Sequence, residues 1–146
     1  RTFSKIYGLA GLRVGYGVGR PELVAYINRV REPFNVNLMA QIAARAALGD
    51  EEFLEKSRIM VREGMKQINR GLAEMGLEYL PSAANFILFA TPYPCRELYP
   101  RLLQKGVIIR PAEIFGLPRH FRVTVGTEEE NARFLQALRE VLAEVG

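Results

Sequence analysis

The chain of 146 residues carries 49% hydrophobic and 25% charged residues, a net charge of +4, one cysteine and one histidine. That is enough for one domain with a real core at an ordinary globular composition. A lone Cys95 excludes an internal disulfide framework and, with the lone His120, leaves no conventional zinc cluster, so no metal site is expected. No run of eighteen apolar residues and no signal-peptide pattern occurs, so the expectation is a cytoplasmic protein with no membrane partner. The charge is not a nucleic-acid signature either. Sixteen of the twenty basic residues are arginines spread along the chain, many beside glutamate, without a basic stripe interleaved with aromatics.

The densest chemistry comes first, in Arg1-Thr-Phe-Ser-Lys-Ile-Tyr-Gly-Leu-Ala-Gly-Leu-Arg-Val-Gly-Tyr16. Lys5 follows two hydroxyl residues, Thr2 and Ser4, and Arg13 stands among Gly8, Gly11 and Gly15. One reading is a basic surface loop with a solvated lysine. The other is a nucleophilic amine that attacks a carbonyl carbon, with hydroxyls and a guanidinium able to hold a phosphate.

Further along, Val14 to Val18 reads as a short strand. Pro21 opens a helix in which Leu23, Ile27 and Val30 fall at i, i+4 and i+7, predicting a buried stripe. Glu32-Pro33-Phe34-Asn35 breaks it and marks a hinge at residues 31–36. Asn37 caps a helix from Leu38 to Leu48, ended by Gly49. Asp50 caps a long helix with Val61, Met65, Ile68, Leu72 and Met75 inward, Met60 as further core filler, and Arg58, Arg62 and Lys66 outward; Gly76 stops it. Tyr79-Leu80 is strand-like, and the apolar run Asn85 to Thr91 predicts a central strand. A helix from Cys95 to Gln104 packs through Leu98, Leu102 and Leu103. Strands follow at Val107–Arg110 and His120–Gly126, the second preceded by a loop, and Thr127 to Glu130 forms a capping box for a final helix. After the hinge the order is α-α-β-α-β-β-α. It predicts an α/β two-layer sandwich, a small sheet with helices against one face.

Arg110 ends one strand and Arg122 lies inside another. An arginine in an apolar strand needs an anion or acceptors, because an unpaired buried charge is prohibitive. An in-domain glutamate and a substrate carboxylate held by the planar fork both satisfy that need. Asn85 reads either as a strand-start turn residue or as a group facing a substrate. Tyr7 and Tyr16 either pack or line a ligand. Neither Cys95 nor His120, read as a strand-edge residue, acquires a role.

Ser-Lys-x-x-Gly-x-x-Gly-x-Arg-x-Gly-Tyr resembles the lysine segment of the fold-type I pyridoxal-phosphate aminotransferases. The full wording of residues 1–16, with Gly-Val-Ile-Ile-Arg110, Phe-Arg-Val-Thr-Val-Gly-Thr-Glu-Glu-Glu-Asn131 and Pro81-Ser-Ala-Ala-Asn85-Phe86, is most similar to the histidinol-phosphate aminotransferases. The resemblance implies that Lys5 carries pyridoxal 5'-phosphate and is the catalytic acid and base, and that Thr2, Ser4 and Arg13 hold the phosphate. It implies substrate-binding roles for Arg122 (a carboxylate), Arg110 (the anionic end) and Asn85. It also implies transamination of L-histidinol phosphate with 2-oxoglutarate in a homodimeric parent enzyme, in histidine biosynthesis. Residues 1–32 would then be the end of a large cofactor-binding domain and 33–146 the small C-terminal α/β domain. Because the chain starts just before the lysine, it is expected to be a fragment, inactive in isolation. Threonine-phosphate decarboxylase, an aromatic aminotransferase and a non-catalytic folded fragment are the alternatives.

Overall fold

A computed structural model describes all residues 1–146. The helices are α1 (Pro21–Val30), α2 (Leu38–Leu48), α3 (Glu51–Glu74), α4 (Cys95–Gln104) and α5 (Glu128–Val145); the strands are β1 (Phe86–Ala90), β2 (Arg110–Pro111) and β3 (His120–Thr124). From α2 onward this is the α-α-β-α-β-β-α order expected from sequence. The chain forms two compact units, Arg1–Arg58 and Ile59–Gly146, which part within α3.

In the second unit the three strands are antiparallel in the order β1-β3-β2. Alternation decides the faces. Ile87, Phe89, Phe121 and Val123 turn inward and are buried, while Phe86, Leu88, Ala90 and Arg122 lie on the opposite face. The inward side meets Ile68 and Leu72 of α3, Leu98 and Leu102 of α4, and Phe134, Leu138 and Val141 of α5. Phe89 and Phe121, directly opposed in the register, stack with centroids 5.9 Å apart, and Phe134 meets Phe89 edge-on. The result is one sheet with helices on one face, the two-layer arrangement expected.

Two glycines let α3 approach this core. An ideal Cβ at Gly64 would lie 2.5 Å from Val125 Cγ1 and 2.7 Å from Asn131 Nδ2, and one at Gly71 would lie 2.6 Å from both Leu135 methyls. The buried line of α3 therefore includes Gly64 and Gly71 beside Ile68 and Leu72. The expected outward face holds: Arg58, Arg62 and Lys66 pair with Glu55 and Glu63 in solvent.

Local caps form as the sequence dictates. Asn37 Oδ1 accepts the Ala40 N–H at 2.8 Å, and Asp50 Oδ1 accepts that of Phe53 at 3.0 Å. Thr127 and Glu130 close a reciprocal capping box at α5. Replacing Thr127 by alanine is expected to cost about 1 kcal/mol in urea unfolding, with an unchanged slope; Thr127→Ser should recover most of it.

Several expectations fail for identifiable reasons. The run from Val14 to Val18 is not a strand: only Gly15 pairs, in an isolated bridge with Thr2, because no neighbouring strand meets the residues beyond it. The predicted stripe of α1 is not buried; Leu23, Ile27 and Val30 are 55%, 53% and 82% exposed, and nothing in the chain covers them. β1 is an edge strand and β3 is central, so His120 starts the central strand. Beyond β1, the Tyr79 bridge and the bond from Leu80 N–H to Leu88 O cover the free edge. Val107–Ile109 lies off the ladder, leaving β2 only Arg110 and Pro111, and β3 ends at Thr124. Leu103 and Met60 are exposed, whereas Met65 and Met75 pack against the core. The break after α1 is present and strained. Phe34 adopts φ 55°, a left-handed conformation that costs a bulky residue about 1–2 kcal/mol.

Candidate active site

Residues 1–16 form a closed loop. Thr2 bridges Gly15, the Phe3 N–H donates to Val14 O at 3.2 Å, and the Tyr16 N–H donates to Arg1 O at 2.9 Å. Gly15 is required for this pairing, since a Cβ there would stand 2.7 Å from Arg1 O. Buried Phe3 anchors the loop, with the Tyr7 ring 4.8 Å and the Tyr16 ring 6.3 Å from it. Tyr7 therefore packs on Phe3, whereas Tyr16 is 55% exposed beside it. Gly8, at φ 70°, turns the chain just after Lys5, and its N–H donates to Lys5 O at 2.9 Å.

The antiparallel pairing returns Arg13 to the neighbourhood of Ser4. Arg13 itself is left-handed (φ 56°) at the end of a 3-10 turn over Ala10–Leu12, and its Nη1 donates to Ala10 O at 2.6 Å. That bond holds the side chain while leaving the rest of the guanidinium fork free. The Thr2 hydroxyl donates to Ser4 Oγ at 2.8 Å and accepts the Ser4 N–H at 3.0 Å. With its oxygen serving as acceptor, the Ser4 hydroxyl keeps its own proton for another acceptor.

Lys5 is exposed at this loop. The other three lysines are held by acids: Lys56 by Glu52, Lys66 by Glu63, and Lys105 by Glu140 and Glu144. Lys5 alone has no carboxylate partner. A free amine, a spare hydroxyl donor and a partly committed guanidinium in one loop fit a ligand carrying both an aldehyde and a phosphate.

The second group of candidate residues lies on the uncovered face of the sheet. The register places Arg110 directly opposite Arg122, so both side chains share a face. Like charges so placed repel, and no carboxylate of the chain reaches either one. The in-domain glutamate considered for Arg122 is therefore not what it binds. Its guanidinium instead lies 5.0 Å from the Phe86 ring centroid, a cation–π contact, and its Nε is buried without a hydrogen-bond partner. A cavity of about 830 Å³ borders both arginines, Thr124 and Arg133. An anion there would relieve the repulsion and use the fork.

Asn85 leads into β1, and its carbonyl accepts the Val125 N–H at 2.9 Å. That is the behaviour of a strand-start residue one position from Phe86. Sequence reasoning missed the direct opposition of the two arginines and the part played by Phe86. Alternation around Arg122 signals its face, but which residue lies across from it depends on long-range pairing. Cys95 is buried, burial pushes its thiol above the ordinary range, and its Sγ donates to His120 O at 3.0 Å. It is a packing residue.

The chain belongs to the aminotransferase class I and II family, whose model matches residues 1–138. It is 55% identical over 144 residues to histidinol-phosphate aminotransferase 1 of Nitrosococcus oceani, covering 99% of this chain and 39% of that protein. It is likewise 55% identical to the histidinol-phosphate aminotransferase of Moorella thermoacetica, covering 98% of this chain and 37% of that protein. The chain thus spans well under half the length of these relatives. Among solved structures, histidinol-phosphate aminotransferase from Sinorhizobium meliloti, in complex with pyridoxal-5'-phosphate, superposes with a TM-score of 0.92 at 32% identity, over the whole of this chain and 41% of that one. The fold is that of the C-terminal part of a fold-type I aminotransferase. No helix is long and apolar enough to cross a membrane.

Proposed function

We propose that this chain supplies the lysine loop and the small domain of a pyridoxal-phosphate aminotransferase acting on L-histidinol phosphate with 2-oxoglutarate. The observation that carries the reading is Lys5, the one lysine without an acidic partner, in a loop that also presents the Ser4 hydroxyl and the Arg13 guanidinium. The names and identities of the relatives support the substrate. Residues 1–32 are assigned to the end of the large domain and 33–146 to the small one. A cytoplasmic homodimer is the assembly proposed, in keeping with the uncovered apolar stripe of α1.

Bound pyridoxal phosphate would supply the electron sink for the amine-bearing carbon of the substrate. The Ser4 hydroxyl and the free part of Arg13 would hold its phosphate. Thr2 acts through Ser4, which it orients. Lys5 Nζ takes the proton from the amine-bearing carbon and returns it later in the half-reaction, as general base and then acid. Arg122 grips the carboxylate partner, and Arg110 across the ladder adds charge for an anionic end. Asn85 is assigned to the substrate-facing rim beside Phe86.

Replacing Arg122 by alanine is expected to lower kcat/KM for 2-oxoglutarate by about 10² or more, because the carboxylate loses a charged, hydrogen-bonded partner. Arg122→Lys should not restore it, lacking the planar fork. Steady-state kinetics with varied 2-oxoglutarate checks this. Product analysis tests the reaction itself: glutamate formation is expected, and carbon dioxide release without glutamate would identify a decarboxylase.

A further inference from the structure

Few neighbours on the uncovered sheet face can hold Arg122. Leu88, directly opposite on β1, and Ala90, at one diagonal, carry no side-chain acceptor, and Arg110, opposite on β2, repels it. No carboxylate of the chain reaches the guanidinium, and its buried Nε has no hydrogen-bond partner. Phe86 stands at the other diagonal. The register pairs Phe86 with Thr124 and Leu88 with Arg122, so the ring shares the face and lies within reach of a long side chain. The guanidinium carbon sits 5.0 Å from the ring centroid, inside the range of a cation–π attraction. Because β3 lies between β1 and β2, this attraction acts toward β1 and away from Arg110. The cavity of about 830 Å³ borders both arginines but not Phe86. A π face takes up none of the in-plane N–H donors, so the fork stays available to that cavity.

We propose that Phe86 is a positioning residue for Arg122: its ring holds the guanidinium on the β1 side and leaves the donors free for a carboxylate in the cavity shared with Arg110. This rests on the reading of Arg122 as the carboxylate-binding residue and adds the group that orients it. An arginine that must be held and yet bind an anion bidentately is poorly served by a glutamate, which would occupy the same fork and cancel its charge. An aromatic face holds it and does neither. Tyrosine presents the same face, whereas leucine fills similar space without the ring quadrupole.

Phe86→Leu, made in a protein of the relatives' full length that contains this chain, is expected to lower kcat/KM for 2-oxoglutarate about three- to tenfold, the loss of one cation–π contact. The change should lie in KM, with kcat little altered. Phe86→Tyr should keep the parental values. In an Arg122→Ala background, Phe86→Leu should have no further effect, because the group it orients is gone. Phe86→Met takes the place of Phe86→Leu in each comparison if the leucine variant lowers the thermal midpoint. A parental KM without the ring would overturn the proposal, as would Phe86→Tyr behaving like Phe86→Leu. So would an equal loss with and without Arg122, which would make Phe86 a packing residue or a direct substrate contact. Parental kcat/KM in Arg122→Ala alone fails at the carboxylate reading instead, and this proposal falls with it.

Discussion

Replacing Lys5 by alanine is expected to lower transamination by about 10⁴-fold or more, with little effect on folding. The side chain is exposed and makes no ion pair, so its removal leaves no cavity and no orphaned charge. Function loses two things at once: the amine that holds the cofactor, and the base that moves the substrate proton. Lys5→Arg keeps the positive charge but not a group that can lose its proton near neutral pH, so it should be equally inactive. Steady-state turnover and a thermal melt, run side by side, separate this from misfolding. Parental turnover in the alanine variant would contradict the role.

The largest effect on stability is expected at Gly64. Alanine has the better helix propensity by about 1 kcal/mol, so an open helical position would gain from the change. Here the added Cβ meets Val125 Cγ1 at 2.5 Å and Asn131 Nδ2 at 2.7 Å. Asn131 is buried and cannot swing aside: its Oδ1 accepts the Gly126 N–H at 2.9 Å, and its Nδ2 donates to Gly126 O at 3.2 Å. Overpacking should therefore outweigh propensity, for a net loss of about 1–3 kcal/mol in Gly64→Ala and more in Gly64→Val. At Gly71 the obstructing atoms belong to the end of the Leu135 side chain, which can rotate, so alanine there should cost less. Urea unfolding of both variants gives the ranking. A Gly64→Ala chain as stable as the parent would mean that α3 does not dock this closely.

The two glycines also show where sequence reasoning ends. In a helical pattern a glycine reads as a weak point, and nothing local says that a partner side chain occupies the space of its missing Cβ. The caps were legible because they are local. Asn37, Asp50 and Thr127 each bond a backbone N–H three residues on, and that spacing is visible in the chain. The lysine loop was legible for a similar reason, its residue types standing at short fixed spacings. The opposition of Arg110 and Arg122 was not, because it depends on the register between strands joined by an eight-residue excursion from Ala112 to Arg119. The stripe of α1 was read correctly as apolar and wrongly as buried: periodicity gives the face, and only a neighbour buries it. Phe34 left no trace in the pattern, since neither its exposure nor its left-handed backbone follows from its place after a proline.

The assignment of Lys5 is tested most directly by borohydride reduction in the presence of pyridoxal phosphate, followed by peptide mapping, in a protein of the relatives' full length that contains this chain. Within this chain the candidates for the label are Lys5, Lys56, Lys66 and Lys105. Because the last three are engaged by glutamates, a single pyridoxyl group on Lys5 is the expected result. Label on Lys56, Lys66 or Lys105 with Lys5 unmodified, or no label on this chain at all, would contradict it.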